Sequence, residues 1–204
     1  MCCARAASRG TILRMITGDA KVLFEIRRAA PDDWAALRRI RLAALAEAPY
    51  AFGSTLDREI GLPDRHWRAR IAAFPQFIAW AGAEPVGLAA GYVEPTGDAA
   101  HGDRTGPGRE GREDGASAGG SWHLVSMWVS PQVRGNGIAD GLVAAVSACA
   151  RADGARHLTL WVTDVNGRAH AFYRRRGFRS TGRRQLVRPE EPGHWEEEQV
   201  LNLS

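Results

Sequence analysis

The most constraining feature of this 204-residue sequence is a strand-like segment that passes through a glycine turn into a helix-like segment. Residues 122–129, Trp-His-Leu-Val-Ser-Met-Trp-Val, are largely apolar and favour a strand, and Pro131 ends it because proline cannot continue a sheet ladder. Gly135 and Gly137 then allow a turn in which backbone N–H groups point outward. The apolar residues that follow recur at helical spacing and predict one buried helix face: Ile138, Leu142, Val146 and Cys149.

A helix that begins at a glycine turn presents unpaired N–H groups and the positive end of its dipole, which together suit a phosphate. Two familiar phosphate loops do not match these glycines. A dinucleotide fingerprint needs G-x-G-x-x-G, whereas Gly135, Gly137 and Gly141 give G-x-G-x-x-x-G. A Walker loop needs a Gly-Lys pair, and Lys21 is the only lysine in the chain. The alternatives are a different phosphate loop or a glycine-rich helix start that binds no ligand.

Size and composition limit the class of protein. A length of 204 residues, with 45% hydrophobic and 25% charged residues, is typical of one soluble α/β domain. No apolar run reaches the ~20 residues that span a bilayer, and the N-terminus lacks the apolar core of a secretion signal. The three cysteines, Cys2, Cys3 and Cys149, form no metal or disulfide framework. We therefore expect a cytoplasmic protein with neither a metal nor a membrane partner.

The net charge of +4 raises the question of nucleic-acid binding. Most arginines are scattered and interleaved with acids, apart from the cluster that begins at Arg174–Arg176, and no aromatic–basic RNA-reading motif occurs. A basic rim that binds the phosphates of a cofactor, or an acidic partner, explains the charge equally well. We therefore expect no nucleic-acid partner.

The rest of the chain alternates strand and helix patterns. Residues 1–20 show no periodicity and are expected to form a flexible tail before a single domain over 22–204. Residues 95–120 contain eight glycines and no large apolar residue, so burial cannot offset their ordering entropy and we predict a disordered insertion. The run Glu196–Glu198 is expected to be a solvated face. The remaining patterns predict strands at 22–26, 76–81, 85–93, 157–162 and 198–203, and helices that begin near Pro31, Pro63 and Asn166.

Two segments resemble motifs of the GNAT superfamily of N-acetyltransferases. Residues 132–137, QVRGNG, resemble that family's pyrophosphate-binding motif, Gln/Arg-x-x-Gly-x-Gly/Ala. Residues 166–178, NGRAHAFYRRRGF, resemble the pattern on the helix after the family's fifth strand. The two motifs lie in the family's order, with a helix and a strand between them. The resemblance implies an α/β (α+β) fold: a mixed, mostly antiparallel sheet, flanked by helices and splayed between its fourth and fifth strands.

The resemblance also implies acetyl-CoA as donor and a primary amine, on a small molecule or a peptide, as acceptor. The pantetheine arm would lie between the splayed strands, paired with the backbone of Met127, Trp128 and Val129. Asn166 would hold it through its amide, and Phe172 would pack beside the cofactor. The pyrophosphate would bind N–H groups of the turn and the helix start, with the Arg134 side chain adding charge: Arg134, Gly135, Asn136, Gly137, Ile138 and Ala139.

Tyr173 occupies the position of the family's general acid. Attack of an amine on a thioester expels sulfur as a thiolate, and a phenol with a pKa near ~10 is a suitable proton donor to it. The alternative is a core tyrosine whose hydroxyl is satisfied within the protein. The predicted donor to the developing oxyanion is the backbone N–H of Val129 or a neighbour.

The general base is not assigned by the resemblance. An alkylammonium acceptor with a pKa near ~10.4 must lose a proton before it attacks. Some GNAT relatives place a glutamate five residues before the asparagine of the second motif, where this chain has Trp161. Glu59, Glu94 and His123 remain as candidates. A chain that has lost its base would instead be a non-catalytic acyl-CoA-sensing module, and a homodimer is compatible with either function.

Overall fold

The computed structural model describes residues 13–17, 22–93, 120–190 and 193–203, without the side chains of 13–17 and Val22. Within these ranges the helices are α1 (Trp34–Glu47), α2 (Leu56–Ile60), α3 (Asp64–Ala73), α4 (Ile138–Ala152) and α5 (Gly167–Arg175), and none is long and apolar enough to cross a membrane. The strands of the described chain are β1 (Leu13–Thr17), β2 (Val22–Arg28), β3 (Gln76–Ala81), β4 (Glu84–Val93), β5 (Ser121–Val129), β6 (His157–Thr163), β7 (Arg179–Leu186) and β8 (Trp195–Asn202).

These strands form one mixed, mostly antiparallel sheet in the order β1-β2-β3-β4-β5-β6-β8-β7. Strands β5 and β6 run parallel, and their pairing ends early, at His123 and Thr159. Beyond that point β5 continues to Val129 beside β4, while β6 continues to Thr163 beside β8. The two strands therefore diverge into a V-shaped opening, here called the wedge, with His123 and Thr159 at its apex. This confirms the predicted splay. It lies between the fifth and sixth strands, and not the fourth and fifth, because β1 precedes the strand that we expected to be the first.

Strand β1 corrects part of the predicted flexible tail. Residues 13–17 pair antiparallel with residues 22–26 of β2 and so form the edge of the sheet. Five residues are too few to show the apolar alternation of a strand. This strand forms because its backbone hydrogen-bonds to the edge of β2. The rest of the predicted tail lies outside the described residues, as does the predicted insertion at 95–120 apart from Gly120.

Helices bury both faces of the sheet. On one face α4 and α5 pack over a core that includes the predicted Ile138, Leu142 and Val146, with Cys149 partly buried at its edge. On the other face α1 and α3 pack over β3 and β4 around the fully buried Trp67. Removal of this apolar surface from water, at ~25 cal/mol per Å², is the main force that holds the layers together. The wedge opens between the two helical layers.

The run Glu196–Glu198 is not wholly the solvated face that we predicted. Glu198 is 3% exposed on β8, opposite Trp161 of β6. Its carboxylate accepts hydrogen bonds from Arg183 Nη1 at 2.9 Å and from Thr181 Oγ1 at 2.8 Å. The correction arises because β7 pairs with β8 and supplies both donors, a contact that a local charge run does not reveal.

Candidate functional site

Helix α4 begins at the predicted glycine turn, and among the described residues no side chain caps it. Gly137, directly before the helix, has φ 75° and Gly135 has φ 89°, a region that favours glycine. A Cβ added to Gly135 would meet nothing within 4 Å, so open space adjoins the turn. Uncapped N–H groups, the positive end of the dipole and this space together fit a bound diphosphate.

An ion pair adjusts the charge beside this turn. Asp140 lies in the first turn of α4, where its carboxylate would repel a bound phosphate. Arg176, at the end of α5, contacts Asp140 with Nε 2.6 Å from Oδ1. This pairing offsets the negative charge of Asp140 and connects α4, which follows the first sequence motif, to the end of the second motif.

The Arg134 side chain does not point to the helix terminus as we predicted. Its Nη2 donates to Glu47 Oε2 at 2.7 Å, and its Nε donates to the Val129 carbonyl at 2.8 Å. The same Glu47 carboxylate accepts from Trp128 Nε1 at 2.8 Å. The hydrogen bonds from Arg134 and Trp128 outweigh the effect of burial and lower the pKa of Glu47. Arg134 is therefore committed to α1 and β5, since a close carboxylate 87 residues away attracts it more than an open turn.

Strand β5 presents backbone groups to the wedge at Val129. Ser130 N donates to Val86 O at 2.8 Å, so Val129 lies between hydrogen-bonded pairs and directs its own N–H and C=O away from β4. Trp128 alternates with it and directs its backbone toward β4, opposite Leu88, which leaves its predicted pairing with pantetheine without geometric support. Met127 is half-buried in the segment where the β4–β5 register shifts.

Helix α5 follows β6 and carries the second motif. Asn166 caps this helix, since its Oδ1 accepts from Ala169 N at 3.1 Å, and the side-chain amide keeps its N–H donors for other groups. Phe172 and Tyr173 pack edge to face, with ring centroids 5.2 Å apart. Tyr173 also packs against Phe178, at 5.4 Å between centroids. The predicted cap is therefore present, and the two aromatic rings contact each other on the same short helix.

Tyr173 is 7% exposed, and burial raises the pKa of its phenol above the ordinary value. The hydroxyl therefore remains protonated at physiological pH and gives up its proton only to a strong base. A thiolate formed in the same apolar surroundings would also be destabilised by burial, which raises its affinity for a proton. Burial thus raises both the pKa of the phenol and the proton affinity of such a thiolate.

Of the three candidate bases, Glu59 is excluded by its partners. It is 3% exposed on α2, with Oε1 2.7 Å from Arg41 Nη2 and Oε2 3.5 Å from Arg70 Nη1. Burial acts to raise the pKa of Glu59, but the hydrogen bonds and charges of the two arginines outweigh it and the pKa is lowered. A carboxylate held in this way is a weak base. Glu94 lies outside the described residues, and His123 lies at the apex of the wedge.

The same buried cluster reaches β5 through Ser126, which sequence reasoning missed. Arg70 Nη2 and Arg41 Nη1 approach Ser126 Oγ at 3.2 and 3.5 Å. Ser126 has φ 57°, the one positive φ at a non-glycine residue within the described ranges, at a cost of about 1–3 kcal/mol. One sequence signal was available, because Arg41 recurs at helical spacing with the buried Leu37, Ala44 and Leu45.

The family follows from comparison with known sequences. A family model described as Acetyltransferase (GNAT) family matches residues 37–178, the part of the chain that contains both motifs and the wedge. The chain belongs to the GNAT acetyltransferase family. Membership indicates acyl transfer and confirms the resemblance carried by the two motifs. A search of curated proteins found no match.

Several solved structures share the fold. A GNAT acetyltransferase from Streptococcus pneumoniae is 16% identical, with a TM-score of 0.63 over 89% of this chain and 99% of its own. The protein yncA of Salmonella typhimurium, solved with its cofactor acetyl-CoA, is 18% identical, with a TM-score of 0.66 over 89% and 94%. Arabidopsis thaliana Naa50, in complex with the bisubstrate analogue CoA-Ac-MVNAL, is 17% identical, with a TM-score of 0.60 over 88% and 97%. These likenesses confirm the predicted helix-flanked, mixed sheet.

Proposed function

We propose that this GNAT protein is an acetyl-CoA-dependent N-acetyltransferase that acetylates a primary amine of a small molecule or peptide by direct attack. The observation that carries the proposal is that the wedge opens beside the uncapped glycine start of α4. A diphosphate at that helix start would let a linear pantetheine arm extend along the wedge. The acetyl-CoA in yncA and the peptide portion of the Naa50 analogue support the donor and the acceptor class.

Acetyl-CoA would supply an activated acetyl group as a thioester. The backbone N–H groups of residues 135–139 would bind its pyrophosphate, and the Asn166 amide would donate to the arm. Phe172 would pack beside the arm, and the ion pair of Asp140 with Arg176 would reduce repulsion of the phosphates.

Tyr173 is the proposed general acid. As the amine nitrogen bonds to the acetyl carbon, the C–S bond breaks and sulfur leaves with its electron pair. The Tyr173 phenol gives that sulfur a proton, and its raised pKa keeps the phenol protonated until then. The Val129 N–H, directed away from β4, is the proposed donor to the carbonyl oxygen as negative charge develops there.

Calorimetry with acetyl-CoA and a thiol-release assay over a panel of primary amines test this function. We expect saturable binding and release of CoA thiol with at least one amine. Tyr173→Phe should lower kcat about 10²–10⁴-fold with little change in the Kd for acetyl-CoA, whereas the exposed Tyr50→Phe should behave as wild type. Undiminished turnover by Tyr173→Phe would remove this residue from the acid role. Binding without turnover over the whole panel would favour a non-catalytic acyl-CoA sensor.

A further inference from the structure

Strand β5 contains one residue more than the stretch of β4 that it pairs with. The register of this pairing shifts by one residue between Val125 and Trp128. The two intervening residues, Ser126 and Met127, together face the single residue Ala89. An extra residue of this kind is a β-bulge, and it reverses the alternation of every residue that follows it in the strand.

The packing of side chains shows this reversal. Trp122 and Leu124 lie in the core between the sheet and α4, and further along the strand Val129 lies there as well. Trp128 lies in the other core, beneath α1 and α3. Strict alternation from Leu124 would place Trp128 on the α4 side, so the bulge exchanges the two faces of β5.

The backbone of β5 is redirected by the same residue. Gly91 N donates to Pro75 O on the side of β3, so Ala90 directs its backbone groups toward β5, where Val125 faces it. Strict alternation from Val125 would direct the Val129 N–H into β4 as well. Because of the bulge, this N–H is directed away from β4 and into the wedge, where it is the proposed donor to the carbonyl oxygen.

Ser126 adopts the conformation that forms the bulge. Its φ of 57° lies in a region that glycine enters freely and serine rarely occupies. Its side chain is 8% exposed, and its Oγ accepts from Arg70 Nη2 at 3.2 Å and lies 3.5 Å from Arg41 Nη1. A return of Ser126 to ordinary strand geometry would move Oγ away from both guanidinium groups. These contacts therefore stabilise the bulge.

The two guanidinium groups are fixed by Glu59. Arg41 Nη2 lies 2.7 Å from Glu59 Oε1, and Arg70 Nη1 lies 3.5 Å from Glu59 Oε2. The three charged side chains come from α1, α2 and α3, and each is at most 4% exposed. Hydrogen bonds are electrostatically stronger in such a dry interior than in water. One buried hydroxyl thus connects three helices to the bulge of β5.

We propose that Ser126 is a positioning residue of the acetyl transfer, through which Arg41 and Arg70 hold the β5 bulge and so direct the Val129 N–H into the wedge; this rests on the proposed function. Ser126 acts through the backbone of β5 and not by contact with the reacting atoms. The bulge fixes the direction of the N–H before the reaction begins. A donor that is oriented in advance stabilises the developing oxyanion without further reorganisation.

Two variants of Ser126 separate the bulge from the hydroxyl itself. Both Ser126→Ala and Ser126→Gly remove the acceptor of the two arginines. Alanine keeps a Cβ that disfavours the positive φ, whereas glycine adopts this φ without strain and should preserve the bulge. The matched control is Ser147→Ala on α4, since Ser147 is 4% exposed and its hydroxyl has no hydrogen-bond partner within the described ranges.

Amide hydrogen exchange of the free protein reports the bulge directly. Trp128 pairs with Leu88, so its N–H should exchange slowly in the wild type. The exchange rate is divided by that of Ile78, which is 0% exposed on β3, to correct for changes in overall stability. We expect Ser126→Ala to raise this ratio at least about tenfold. Ser126→Gly and Ser147→Ala should stay within about threefold of the wild type.

Acetyl-CoA labelled with carbon-13 at the carbonyl reports the donor. In Ser126→Ala the infrared stretch of the bound carbonyl should move to higher wavenumber than in the wild type, because the hydrogen bond is lost. Release of CoA, measured with the panel amine that the wild type acetylates fastest, should fall at least about tenfold in kcat. Ser126→Gly should recover kcat to within about threefold and restore the wild-type stretch.

Arg70→Lys tests whether the arginine acts through Ser126. Lysine keeps a positive charge beside Glu59 but lacks the planar fork that reaches both Glu59 and Ser126. We expect it to lower kcat at least about fivefold when Ser126 is present and by less than about twofold in Ser126→Gly. Equal losses in the two backgrounds would contradict the proposal.

Three further results would overturn the inference: an unchanged exchange ratio in Ser126→Ala, equal losses of kcat in Ser126→Ala and Ser126→Gly, or a tenfold loss in Ser126→Gly alone. The last result is decisive even if the alanine variant does not fold. Failure of the wild type to bind acetyl-CoA would instead count against the proposed function. The exchange experiment needs no cofactor, so the two failures are distinguishable.

Discussion

Glu59→Gln removes the negative charge between Arg41 and Arg70 and leaves two buried guanidinium groups without their shared counter-charge. Their side chains are 1% and 2% exposed, and that of Glu59 is 4% exposed, so water cannot replace the lost carboxylate. Breaking a buried ion pair by removing one partner costs about 3–5 kcal/mol. For a chain of this size that free energy corresponds to a fall in Tm of about 6–20 °C.

The matched control is Glu84→Gln, which removes a carboxylate from an exposed pair with Arg39. Those side chains are 67% and 56% exposed, so the expected loss is about 0–1 kcal/mol. Urea unfolding at pH 7 measures both variants against the wild type. If Glu59→Gln is destabilised no more than Glu84→Gln, the buried cluster does not hold the helices to β5 and the reasoning fails.

The same variant has a defined pH dependence. The folded-state pKa of Glu59 is lowered below its unfolded value near ~4.3, so its contribution is fully present above that value. It is lost as the pH falls through the folded-state pKa, where wild-type Glu59 also becomes neutral. The stability gap between the wild type and Glu59→Gln should therefore narrow on acidification. A gap that stays constant from pH 7 to the acid range would contradict the charge-based account.

Two further pairs of substitutions test packing and cofactor binding. Gly91→Ala would place a Cβ 2.8 Å from Val146 Cγ1, so urea unfolding should show a loss of stability of about 1–3 kcal/mol. In the control Gly61→Ala the added Cβ meets nothing within 4 Å and should cause no such loss. Equal stabilities of the two variants would refute the steric argument. Arg134→Gln should change the Kd for acetyl-CoA by less than about threefold, because Glu47 holds the guanidinium. Gly135→Glu adds an anion and a strained side chain at the turn, so it should abolish measurable binding of acetyl-CoA in calorimetry. A large loss of acetyl-CoA affinity in Arg134→Gln would indicate that the Arg134 side chain contributes to the phosphate site.

Local patterns predicted the elements that frame the site. The strand–glycine–helix segment, the hairpin of β3 and β4, and the Asn166 cap all appear where the sequence places them. Each of these elements depends on backbone conformation and on neighbours within a few residues. Such conformational preferences can be predicted from the identities of consecutive residues. Strand β1 escaped prediction because its stability comes from pairing with β2 and not from a pattern of its own.

Contacts between distant parts of the chain could not be predicted from local sequence patterns. Whether Arg134 faces a phosphate or a carboxylate depends on Glu47, which the fold alone brings within 2.7 Å. The His123 ring likewise meets Thr159, 36 residues away on another strand, with Nδ1 2.7 Å from Oγ1. The partner of such a side chain is therefore set by tertiary packing, and the charge of Arg134 is paired accordingly.

The sequence by itself therefore predicted the family, most of the elements and a set of candidate site residues. The tertiary structure decided the surroundings of those candidates, since it joined Glu59 to two arginines, bound Arg134 to α1 and set His123 at the apex of the wedge. The physical reason is one of range. Backbone preferences act over a few residues, whereas the pKa and hydrogen-bond partners of a side chain depend on groups that only folding brings together.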